Sequence, residues 1–108
     1  MRFCLCQICS VLACGVLVIS CATDREERFP TAQSLARARS ETSLATLELG
    51  RKVYTSKCTE CHVARSIGGY SAERWRHYVG VMSPRAHLSA EEQAAVESYL
   101  LTASAALR

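Results

Sequence analysis

From Ser43 onward the apolar positions of the chain keep helical spacing. Leu47, Gly50, Val53, Tyr54 and Cys58 fall on one face of a predicted first helix, as positions three and four apart do. Glu48 and Lys52 support it as an i,i+4 pair in the favoured order. A second helix is predicted after Gly68-Gly69, with Ser71 as its N-cap. Trp75, Tyr78, Val79 and Met82 form its apolar stripe. That stripe should end before Pro84, because proline disfavours helix in the residue ahead of it. The third helix opens on a capping box, Ser89-Ala90-Glu91-Glu92, without a hydrophobic staple, since Leu88 at N′ has Gln93 at N4. Val96, Tyr99, Leu100 and Ala103 form its buried stripe. No segment alternates with the period of a strand. The expected fold is all-α, with three helices over residues 44–108.

The chain ahead of these helices has two parts. Residues 1–20 carry Arg2 and the amino terminus, then an apolar run from Ile8 to Ile19 broken only by Ser10, and no acid occurs before Asp24. That is the pattern of a secretory signal peptide. The apolar run is shorter than the roughly 20 residues of a spanning helix. Val18-Ile19-Ser20-Cys21 resembles the lipobox of bacterial lipoproteins, with an aliphatic residue at −3, a small residue at −1 and cysteine at +1. The resemblance implies lipid attachment at Cys21 and tethering to the periplasmic side of a bacterial membrane. Residues 21–43 are rich in charged and small residues and hold no apolar period. They read as a solvated tether, in which a short helix around residues 32–39 would have little to pack on.

Size and charge narrow the function. A chain of 108 residues holds at most one small domain. Its formal net charge is +3, and loss of residues 1–20 would remove only Arg2, leaving +2. That is no nucleic-acid footprint. Five of the seven cysteines lie within the first 21 residues, so a disulfide framework is excluded. Three short helices enclose little core of their own, and so small a domain needs a disulfide, a metal or a cofactor to hold it.

Cys58-Thr59-Glu60-Cys61-His62 supplies a candidate. C-x-x-C-H is the attachment motif of haem c. Two thiols three positions apart can each reach one vinyl group on the same edge of a porphyrin. The histidine that follows can give an imidazole nitrogen to iron. A thioredoxin-like redox pair would want a βαβ context, which is lacking. A zinc site would need Cys58, Cys61, His77 and His87, whose histidines are spaced more widely than zinc motifs use. For the second iron ligand, Met82 is the sole methionine apart from Met1, twenty positions after His62 and on the Trp75 and Val79 face. His87 and an open sixth position are the alternatives.

These residues resemble the small monohaem c-type cytochromes of class I, over about Leu47 to Leu101. Leu49 to Tyr54, then Cys58 to His62, look like that family's first helix running into its haem motif. The resemblance implies that Gly50 packs against Tyr99, and that Met82, late on the middle helix, is the axial methionine, with His62 opposite. No proline lies between His62 and Met82 to offer the carbonyl that orients the proximal histidine, so another carbonyl in Val63–Tyr70 must do so. Arg65, Tyr70, Arg74 and Trp75 are candidate partners of the haem propionates. The implied activity is one-electron transfer between redox protein partners at a membrane surface, with one haem c, no small-molecule substrate and no enzymatic chemistry. A haem sensor or small haem enzyme is the alternative if the sixth position is open or bis-histidine, and a zinc or thiol protein if no haem binds.

Overall fold

The computed structural model describes residues 28–38 and 41–108. The expected signal peptide, Cys21 and the start of the tether lie outside the described residues. Among the described residues the fold is all-α, with four helices and no strand. They are α1 (Ala32–Arg37), α2 (Leu44–Ser56), α3 (Ala72–Met82) and α4 (Ala90–Ala106). Two single-turn 3₁₀ segments, Lys57–Thr59 and Ile67–Gly69, lie between α2 and α3.

Each helix begins on a hydroxyl cap. The side chains of Thr31, Ser43, Ser71 and Ser89 accept hydrogen bonds from the backbone N–H of Ser34, Thr46, Arg74 and Glu92. Such caps satisfy donors that have no partner inside the helix, and each contributes about 1 kcal/mol. At α4 the capping box closes in both directions, because the Glu92 carboxylate accepts from the Ser89 N–H at 3.0 Å.

The central element is α4, which α1, α2 and α3 all touch. Its Ala95, Val96, Tyr99, Leu100, Ala103 and Ser104 are buried. Leu47, Val53 and Tyr54 of α2, Trp75 and Val79 of α3, and Ile67 between them complete the main core. Gly50 lets α2 and α4 cross at backbone distance: a Cβ there would lie 2.6 Å from the Cβ of Tyr99 and would also collide with the Ala95 carbonyl. The contact implied between Gly50 and Tyr99 is therefore present.

The solvated spacer expected over 21–43 does not hold for residues 29–38. Ala32 and Leu35 of α1 are each 2% exposed and belong to the core. Phe29 packs edge-on against the Tyr54 ring, with centroids 6.0 Å apart. The fully buried Tyr99 donates its hydroxyl to the Pro30 carbonyl at 2.9 Å. The short helix has something to pack on after all, the outer faces of α2 and α4. The packed unit thus has four helices rather than three.

The stripe ends before Pro84 as expected: α3 closes at Met82, and Ser83 is its C-cap. Ser83, the residue before Pro84, keeps helical dihedrals, φ −56° and ψ −45°. Its N–H and its hydroxyl both bond to the Val79 carbonyl, at 2.9 and 2.6 Å. The turn ends at His87, the one described non-glycine residue with positive φ, at 52°. Leu88 N–H reaches the Ser83 carbonyl and His87 N–H the Pro84 carbonyl, the bond pair of a Schellman motif. This turn carries the chain back to the α4 cap.

Candidate functional site

The helices leave a cleft of about 230 Å³ between the C-terminal end of α2, the loop that follows it, α3 and α4. Its interior is apolar: Trp75, Val79, Leu88, Val96 and Leu100 line it. Cys58, Cys61 and His62 line one side, and Met82, half-buried at the end of α3, also lines it. All four residues of the expected haem site thus border a single cavity. Cys58 is half-buried, and burial pushes its thiol pKa up, so it stays protonated at neutral pH. Cys61 and His62 are exposed.

His62 Nδ1 lies 3.0 Å from the Val63 carbonyl oxygen. A carbonyl can only accept, so in this contact Nδ1 carries the proton and Nε2 keeps its lone pair. An orienting carbonyl was expected in Val63–Tyr70, and Val63 provides one.

The cations at the cleft differ in their partners. Lys57 is neutralised by Glu92, with Nζ 2.7 Å from Oε1. The Lys57 hydrogen bond and the Ser89 backbone hold the Glu92 carboxyl below its usual range. Arg65 donates to the Tyr70 hydroxyl at 2.8 Å and sits over the Tyr78 ring at 5.5 Å. Arg85 makes no side-chain bond or ion pair among the described residues. No acidic side chain lines the cleft. Two guanidinium charges therefore border an apolar cavity without a compensating acid, a cradle that fits an apolar ligand bearing carboxylates.

Of the four residues expected near the propionates, only Arg65 lines the cleft with donors left over, beyond its bond to the Tyr70 hydroxyl. Trp75 lines it too, but its Nε1–H is committed to the Ile67 carbonyl at 3.0 Å. Tyr70 and the exposed Arg74 do not line it. His77 and His87 are exposed and also stand outside it. Arg85 and Lys57 escaped the sequence reading. Arg85 lies three positions beyond Met82, in the turn that follows α3. No three His, Cys, Asp or Glu side chains among the described residues come close enough to hold a metal ion between them. No described helix is long and apolar enough to cross a membrane.

No protein-family model, curated protein or solved structure matches the chain.

Proposed function

We propose that the chain is a membrane-tethered monohaem c-type cytochrome that carries single electrons between protein partners. The observation that carries this reading is the shared cleft: a C-x-x-C-H segment and the Met82 thioether border one apolar cavity with unneutralised guanidinium groups. The thiols of Cys58 and Cys61 would each add across a vinyl group, sulfur bonding to one carbon and the thiol hydrogen passing to the other. His62 would give Nε2 to iron and Met82 its sulfur. When bound, the haem supplies an iron that alternates between ferric and ferrous. The protein's part is to hold both ligands in either state and to shield the ring with Trp75, Val79, Val96 and Leu100. Cys21 would carry the lipid after export, confining the domain near membrane-bound donors and acceptors and raising its effective concentration there. The zinc alternative lacks a converging donor set among the described residues.

The test is expression of the full chain with haem c maturation, followed by denaturing electrophoresis with haem staining and absorption spectroscopy. Covalent haem is expected, with the weak long-wavelength ferric band of methionine ligation, lost in Met82→Ala. Covalent haem without that band would move the assignment to a sensor or enzyme. No attached haem would overturn the reading and return Cys58 and Cys61 to thiol or zinc chemistry.

A further inference from the structure

We propose that Tyr54 is a positioning residue for His62, acting through the loop between them. The inference rests on the reading of His62 as an iron ligand. His62 and Val63 are exposed, Val63 at 80%. Residues 63–65 make no backbone–backbone hydrogen bond among the described residues. The loop is therefore not held by its own backbone. It is held from the core at Arg65 and Ile67. The Tyr54 hydroxyl donates to the Arg65 carbonyl at 2.7 Å, and Trp75 Nε1–H donates to the Ile67 carbonyl at 3.0 Å, with Ile67 itself fully buried. Ala64 adds a partly buried apolar contact.

The geometry makes Tyr54 a rigid anchor. Its ring is 4% exposed and wedged edge-on between Phe29 and Trp75, with centroids 6.0 and 5.9 Å away. Burial raises its pKa, so the hydroxyl remains a donor throughout the useful pH range. Two residues before Arg65, the Val63 carbonyl receives His62 Nδ1–H. Holding Arg65 fixes the peptide run that aims this carbonyl. A firm Nδ1–H···O bond orients the ring and raises the basicity of Nε2.

The test compares Tyr54→Phe with Tyr99→Phe in the haem-loaded full chain. Each variant keeps its ring and loses one hydroxyl bond to a backbone carbonyl, but the Tyr99 bond ends at Pro30, away from the loop. Both variants should lose stability. Tyr54→Phe alone should speed exchange of the His62 Nδ1 proton about five- to tenfold, the worth of one ordinary hydrogen bond. It alone should also raise the reduction potential, because a less basic imidazole stabilises ferric iron less. Should Tyr54→Phe fail to retain haem, Trp75→Phe, which frees Ile67, should move both readouts the same way. Unmoved exchange and potential in a loaded Tyr54→Phe or Trp75→Phe protein would overturn the positioning role while leaving the cytochrome reading intact. A wild-type chain without attached haem would overturn that reading itself.

Discussion

Gly50 and Tyr99 face each other where α2 crosses α4, so closely that a methyl group on Gly50 would come within 2.6 Å of the Tyr99 Cβ. The other obstruction is the Ala95 carbonyl, which belongs to a helix backbone and cannot swing away. Gly50→Ala should therefore destabilise the domain by roughly 1–3 kcal/mol through overpacking. The ~1 kcal/mol that alanine adds to helix propensity offsets only part of this. Urea unfolding of the two proteins measures the difference, and an unchanged midpoint would mean that the helices can move apart freely.

Leu35 decides whether residues 29–38 belong to the domain. Its side chain is 2% exposed, against α2 and α4 rather than within α1. Leu35→Ala should cost about 2–3 kcal/mol, near the low end for buried leucine because so short a helix can settle into the gap. A free tether would lose nothing. Thermal unfolding of the full chain distinguishes the two outcomes.

How the sequence exposed some of this and hid the rest follows from the range of the interactions. Ser43, Ser71 and Ser89 were readable as caps because each bonds to a backbone N–H three residues on. The stripe from Trp75 to Met82 was readable because one helix carries it. The docking of α1 was not, since Leu35 is an isolated leucine among small and charged residues. Tyr99, which holds the strand of chain before it, lies 69 positions from Pro30. The C-x-x-C-H motif marked Cys58, Cys61 and His62 as candidates, and all three border one cavity with Met82. The bonds that hold the loop after them, Tyr54 to Arg65 and Trp75 to Ile67, depend on loop geometry that no spacing encodes. The end of α3 before Pro84 was readable; the helical dihedrals that Ser83 keeps as its cap were not, because they rest on its bonds to the Val79 carbonyl.

His87 carries a left-handed backbone, φ 52°, at the end of the turn after α3. Glycine adopts that conformation without the Cβ clash, whereas other L-residues meet a cost of about 1–2 kcal/mol. His87→Gly should stabilise the protein by roughly 0.5–1 kcal/mol, after the greater freedom of glycine in the unfolded chain is subtracted. If the chain carries haem as proposed, the same variant should leave its spectrum unchanged, because His87 stands outside the cleft. Differential unfolding and one absorption spectrum check both halves, and a changed spectrum would restore His87 as an iron ligand.

Acid should loosen the junction between the end of α2 and the start of α4. The Glu92 carboxyl is held below its ordinary value of 4.5, first by the Lys57 hydrogen bond and then by the Ser89 backbone. A folded-state pKa below the unfolded one adds stability above the unfolded pKa, and that stability is lost as pH falls through the folded value. Wild-type stability should therefore decline below about pH 4.5 more steeply than that of Glu92→Gln, whose side chain does not titrate. The pair is partly exposed, so added salt should shrink the difference. Parallel pH series of urea unfolding measure it; identical slopes would show that the pair adds no acid-sensitive stability.

Arg65 and Arg85 allow a separate test of the charge at the cleft. Both guanidinium groups border the cavity, no acid lines it, and Arg85 has no partner among the described residues. If the cleft holds haem as proposed, a positive charge near its iron would disfavour the ferric state, which carries one more positive charge than the ferrous state. Removing it should lower the reduction potential. Arg85→Gln should do so without changing the melting temperature, because this side chain packs little and bonds to nothing. Arg65→Gln should lower the potential as well but also lose stability, since it gives up the Tyr70 hydroxyl and the face of Tyr78. If the two charges act independently through space, their shifts in the double variant should add, and both should shrink at high salt. A potential that stays constant in Arg85→Gln at low salt would place that guanidinium too far from the iron, or turned into solvent, to matter.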